Sequence, residues 1–197
     1  MSSAQNLSWQ EALQRLKEGN ERYSSEKQTN PNNSSKRRQS LTGHQAPFAI
    51  ILGCADSRVV PELAFDMGIG DIFTVRVAGN IANTASLGSI EYAIAHLGVN
   101  LIVVLGHESC GAVTAAINGG DNGYSLNHLV AEIVPAIGAS EDKSVNAVVK
   151  KNAEMNAAQI ISRSPIIQQA MKGRDINVVP AYYSLGSGRI EFLEETV

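Results

Sequence analysis

The sequence holds two cysteines, and both stand in settings where a thiol can do chemistry. His107 and Cys110 are three positions apart, so both side chains can reach one point from a single turn of backbone, and Cys54 can supply a third donor. Two thiolates and one imidazole are donors that Zn2+ prefers, and three protein ligands leave one tetrahedral position open, as in catalytic rather than structural sites. An H-x-x-C pair with a distant cysteine also fits a buried free thiol at Cys54, a disulfide between the two cysteines, or a helix-capping role for His107. The segment Cys54-Ala55-Asp56-Ser57-Arg58 tips the balance. It sets a carboxylate and a guanidinium within four residues of the first thiol, and structural zinc needs neither.

For these residues to meet, the chain must carry them to one place. Residues 48–53 (FAIILG) and 100–105 (NLIVVL) are apolar runs that read as strands buried on both faces. Cys54 lies just past the first. Gly106-His107-Glu108-Ser109-Cys110-Gly111 follows the second and leads into a helix to about residue 118. Residues 71–77 read as another strand, 61–68 as a short helix opened by Pro61, and 85–97 as a largely apolar helix closed by Gly98. Further helices are expected over 126–137, 145–161 and 165–171, and strands over 176–183 and 189–193, joined by the turn Leu185-Gly186-Ser187-Gly188. This alternation predicts an α/β fold, an open, mostly parallel sheet flanked by helices, with an antiparallel last strand. Ligands of such sheets bind beyond the carboxyl ends of the strands, where Cys54 and the His107/Cys110 pair stand if their strands are neighbours.

Upstream, Ser8 and Glu11 form a capping box, and Trp9, Leu13 and Leu16 recur at helical spacing to about residue 23. This N-terminal helix suits an arm packed on a partner subunit, and residues 24–45 read as an extended polar connection. A single domain is expected over 1–197, with arm and connection in 1–45 and the α/β catalytic core in 46–197.

Composition narrows the function. Of 197 residues, 44% are hydrophobic and 18% charged, a globular balance, and the formal net charge of −3 offers no field attractive to nucleic acid or anionic lipid. A small substrate follows. The basic run Lys36, Arg37 and Arg38 reads as a solvated loop, or second as a subunit contact. Residues 1–6 are polar and no apolar run approaches the ~20 residues that cross a bilayer, so a soluble, cytoplasmic protein without a secretory signal is expected. His44, His96 and His128 have no partner at ligand spacing.

The motifs C-x-D-S-R at Cys54 to Arg58 and H-x-x-C at His107 to Cys110, with Arg76-Val77-Ala78-Gly79-Asn80 and Ser89-Ile90-Glu91-Tyr92, resemble those of the β-class carbonic anhydrases. The resemblance covers the chain from its N-terminal helix to Tyr183. It implies one Zn2+ per chain on Cys54, His107 and Cys110, and reversible hydration of CO2 to bicarbonate and a proton through a zinc-bound hydroxide. By the same resemblance Asp56 accepts a hydrogen bond from that hydroxide and Arg58 fixes Asp56, while in some members the aspartate swings onto the metal and shuts the site. Gln45 and the Gly111 N–H would bind substrate oxygen, and Phe73, Ala78 and Tyr92 would wall the pocket. Several of these come from a neighbouring subunit in the family, so a homodimer or higher homo-oligomer is implied.

Two departures stand out. A regulatory bicarbonate site in some members uses a tryptophan where this chain has Ile51, and an aspartate common after the family's late tyrosine is Ser184 here. Rival functions are hydrolysis of carbonyl sulfide or carbon disulfide on the same fold, a non-catalytic zinc module for assembly, and a thiol redox protein, which would lack the C-x-x-C arrangement.

Overall fold

The computed structural model describes residues 7–193; residues 1–6, which carried the expectation of no secretory signal, and residues 194–197 lie outside the described residues. A five-stranded sheet runs in the order β2-β1-β3-β4-β5, with β1 (Ala49–Gly53), β2 (Ile72–Arg76), β3 (Leu101–His107), β4 (Asn177–Tyr183) and β5 (Ile190–Phe192). The first four are parallel and β5 returns antiparallel to β4. The helices of the described residues are α1 (Trp9–Ser24), α2 (Ser35–Ser40), α3 (Pro61–Ala64), α4 (Thr84–His96), α5 (Gly111–Asn118), α6 (Tyr124–Ala131), α7 (Val134–Ala139), α8 (Val145–Arg163) and α9 (Pro165–Met171).

β1 and β3 lie side by side in the sheet, and every residue of both is buried, which is why they read as unbroken apolar runs. Successive side chains serve opposite faces. Ile51, Val103 and Leu105 pack with Ala12 and Leu16 of α1 and with Phe65, while Ile50, Leu52, Ile102 and Val104 pack with Ile90 and Ile94 of α4, Ala153 and Ile160 of α8, and Ile167 of α9. A third cluster, including Ile81, Val113, Ile133 and Val148, closes over the carboxyl ends around Cys54 and Cys110.

The expected elements are present, with three corrections. The capping box forms, Ser8 Oγ accepting from Glu11 N–H at 3.2 Å and Ser8 N–H donating to Glu11 Oε2 at 3.0 Å. The inner face of α1 packs on its own chain, where full burial of Leu16 contributes about 1.5–3 kcal/mol. Residues 24–45 are not wholly extended: Ser34 Oγ accepts from Arg37 N–H and starts α2, so the basic run is helical. Its Arg37 donates to the Ile69 carbonyl at 3.0 Å and pairs with buried Asp71, a carboxylate that needs a partner. Residues 126–137 are two helices, α6 and α7, because Pro135 has no N–H to continue the first and suits the opening turn of the second. Finally, β3 runs on through Gly106 and His107, which pair with Tyr182 and Tyr183 of β4.

One buried carboxylate ties the N-terminal segment to the sheet layer. Asp66 accepts from Arg22 Nε at 2.6 Å, from Thr29 N–H and Oγ1 at 3.0 Å each, and from Asn30 N–H at 2.8 Å. Burial alone would raise its pKa, but Arg22 and the two N–H groups outweigh that and hold it below the ordinary carboxylate range. Asp66→Ala should cost about 3 kcal/mol of unfolding free energy at neutral pH, since it strands those donors. A depressed folded pKa gives stability that is present above the unfolded value of about 4 and is lost as pH falls through the folded value. Urea titrations of wild type and variant should therefore separate at pH ~7 and converge on acidification below pH ~4.

Candidate metal centre

Parallel pairing of β1 with β3 sets Gly53 opposite Leu105, so Cys54, one residue on, and His107, two residues on, emerge at the same edge of the sheet. Cys110 is the N-cap of α5, reached from His107 through a bend in which Ser109 has φ +54. His107 is thus the last residue of a strand rather than part of the helix mouth, and the pair meets because the chain turns sharply between them. Sγ of Cys54, a ring nitrogen of His107 and Sγ of Cys110 lie within 4.8 Å of one another, and all three residues are buried.

Each donor is aimed by its surroundings. His107 Nδ1 is 2.9 Å from the Glu108 carbonyl, which can only accept, so the ring proton sits on Nδ1 and the lone pair on Nε2. Among the described residues that buried Nε2 has no hydrogen-bond partner. Cys54 Sγ accepts the Gly79 N–H at 3.3 Å. Gly79 has φ +72, and a side chain there would bring Cβ to 2.7 Å from Ile133 Cδ1, so glycine is what lets this N–H reach the sulfur. The two neighbouring thiols perturb one another: Cys110 favours the ionised form of Cys54 against the effect of burial, and Cys54, with burial, pushes Cys110 up.

Asp56 stands beside the cluster, its Oδ2 3.9 Å from His107 Nε2. Arg58 engages it in a fork, Nε to Oδ1 at 2.9 Å and Nη2 to Oδ2 at 2.7 Å, and the Arg58 N–H adds a bond to Oδ1 at 2.9 Å. These bonds hold the carboxyl well below the usual carboxylate range. Arg58 Nη2 also donates to the Ser109 carbonyl at 3.3 Å, linking the two ligand-bearing loops.

The donor set fits zinc. A buried imidazole lone pair without a partner costs free energy that a metal removes, and two thiols and an imidazole converging on one point match a three-ligand centre with an open fourth position.

Of the expected pocket residues, Ala78 and Gly111 adjoin the cluster in sequence, beside Gly79 and Cys110. The others do not come to it within one chain. Gln45 is exposed and precedes β1, so the strand's length, about 16 Å at 3.3 Å per residue, separates it from Cys54. Phe73 pairs with Ile50, about 13 Å before Cys54 along the strand, and its ring contacts that of Tyr92 at 6.4 Å. Tyr92 is 47% exposed.

Other residues at the site were not assigned these tasks from sequence. Arg76 donates to the carbonyls of Cys54 (2.9 Å), Asp56 (2.7 Å) and Val59 (2.8 Å), clamping the first loop. Ser109 N–H donates to Asn146 Oδ1 at 3.0 Å, bracing the second. Arginine and asparagine carry no spacing signal for such work, although Arg76 and Gly79 lie in a segment already singled out. Tyr183 Oη is 3.2 Å from Tyr23 Oη, so Tyr183, like Arg76, has a partner within the chain.

Fold and site together define a mononuclear zinc enzyme with a cysteine–histidine–cysteine centre at the carboxyl edge of a parallel sheet. The family model described as carbonic anhydrase matches residues 49–190. Carbonic anhydrase 2 of Mycobacterium tuberculosis is 42% identical over 186 residues, covering 90% of this chain and 89% of that protein. Among solved structures, the tetrameric β-carbonic anhydrases of Sordaria macrospora match with TM-score 0.72 and 30% identity over 79% of this chain and 85% of theirs. The β-carbonic anhydrase CafA of Aspergillus fumigatus matches with TM-score 0.75 and 26% identity over 95% and 91%. The chain belongs to the β-class carbonic anhydrase family.

The thiol pair predicts a measurable signature. Metal-stripped protein at neutral pH should show the ultraviolet absorbance of one thiolate per chain, since two neighbouring buried thiols share one proton rather than ionise together. Two thiolates, or none, would contradict the pairing.

Proposed function

We propose that the chain hydrates CO2 reversibly to bicarbonate and a proton, using one Zn2+ held by Cys54, His107 and Cys110. The observation that carries this reading is the buried donor cluster with Arg58-locked Asp56 at its side. When bound, zinc lowers the pKa of water toward neutrality and so supplies a nucleophile for an uncharged carbon at neutral pH.

The protein's own groups then have defined tasks. An ionised carboxylate accepts hydrogen bonds and cannot donate them, so Asp56, kept ionised by Arg58, orients the nucleophile's proton toward itself and its lone pair toward substrate. Arg58 is the positioning residue: three of its N–H groups fix the carboxylate and a fourth contact fixes it to the Ser109 backbone. The Gly111 N–H, at the start of α5, is a donor for substrate oxygen, and Ala78 walls the adjoining space.

Gln45, Phe73 and Tyr92 complete the pocket of a neighbouring subunit in this reading, because within their own chain the strand holds them away from the metal. The free side of β2 and the exposed Tyr92 ring suit such a homodimer or larger homo-oligomer, and the Sordaria macrospora relatives are tetrameric. Among the described residues no helix is long and apolar enough to cross a membrane. A centre built on two thiolates suits the reducing cytoplasm.

Two experiments test these assignments. Asp56→Asn should keep one zinc per chain yet lose about 100- to 1,000-fold in kcat/KM for CO2 hydration by stopped flow, and full activity would remove Asp56 from the mechanism. Separately, Asp56→Asn and Gln45→Ala chains, each inactive alone, should regain about a quarter of wild-type sites when co-refolded, since random two-fold pairing makes one intact site in every mixed dimer. Mixed dimers without activity would place Gln45 outside the partner's pocket.

A further inference from the structure

One helix, α8, reaches both ligand-bearing regions from behind. Asn152, 1% exposed, donates from Nδ2 to the Gly79 carbonyl at 2.9 Å, and the N–H of the same Gly79 donates to Cys54 Sγ at 3.3 Å. One turn on, buried Asn156 donates to the Asn152 carbonyl at 2.8 Å and to Asn152 Oδ1 at 3.0 Å, while its own Oδ1 accepts the Ala82 N–H at 2.6 Å.

The segment these amides grip does not hold its own shape. Gly79 and Asn80 both lie in the left-handed region, with φ +72 and +43; glycine takes it freely, whereas Asn80 holds it at a cost that its neighbours must offset. Burying two amide side chains among Ala153, Ala157 and Ile160 also costs free energy unless they are matched. Their bonds run to the Gly79 carbonyl and the Ala82 N–H, on either side of Asn80.

We propose that Asn152, supported by Asn156, is a positioning residue for the metal-binding thiolate: by holding the Gly79 carbonyl it fixes the residue whose N–H stays on Cys54 Sγ. The inference rests on Cys54 being a zinc ligand. An N–H bond fixes a thiolate's direction and withdraws charge from it, so its loss lets the ligand turn away from the metal point and alters the energy of its sulfur electrons.

The test uses holoenzymes of wild type, Asn152→Ala, Asn152→Ser and a control, Asn20→Ala. Asn20 is a buried amide remote from the metal that ties α1 to the Ala64 and Gly188 carbonyls. Zinc affinity is measured by chelator competition, and the sulfur-to-metal charge-transfer band is recorded after Co2+ substitution. The Asn152 variants should bind zinc about 10- to 100-fold more weakly and shift the band, whereas Asn20→Ala should lower Tm and change neither. If Asn152→Ala fails to fold, Asn152→Ser and Asn156→Ala carry the same comparison. Variants with reduced Tm but wild-type affinity and band would overturn the proposal and leave Asn152 purely structural. A wild type that takes up no zinc would be a separate result, removing the metal reading itself.

Discussion

Two parallel strands, β1 and β3, share a register, and the rest of the site follows from it. Once Gly53 lies opposite Leu105, the residues just beyond each strand are obliged to leave the sheet together, and a thiol and an imidazole far apart in sequence become neighbours. The register is not free to slip, because a one-residue shift would turn Ile51 and Val103 toward the wrong face of a sheet that is apolar on both sides. Metal geometry is therefore inherited from core packing. The short bend at Ser109 then needs only to bring Cys110 back onto the point already defined.

Around that point the structure divides its labour between charge and shape. Negative charge is concentrated at the donor cluster and Asp56, and two cations answer it differently. Arg58 meets Asp56 face to face, whereas Arg76 spends its donors on backbone carbonyls and shapes the loop without neutralising it. Replacing either by lysine would keep the charge and lose the fork, so the two arginines are used for geometry as much as for sign.

Much of this was legible in the residues. Strands buried on both faces, Pro61, and the capping box at Ser8 and Glu11 are local signals, and the elements they predict are present. The donor cluster was legible because Cys54, Asp56 and Arg58 crowd into one short segment that no packing demand explains. What the sequence hid is what depends on distant partners. Arg37 looks like a solvated residue until Asp71 appears beside it. Asn152 and Asn156 are ordinary polar residues of a long helix until the Gly79 segment is folded over them. Only Pro135 was a local signal passed over, since proline in the middle of an expected helix already argues for two.

The order in which the chain is made adds a consequence to its topology. Cys54 precedes His107 by 53 positions, and at about 5–20 residues per second a ribosome leaves that thiol waiting roughly 3–10 seconds for its first co-ligand. The α8 amides behind the Gly79 segment arrive later still. During synthesis the first sulfur is therefore a lone thiol without co-ligands, and a complete metal centre cannot exist before the third strand and the bend after it have been made.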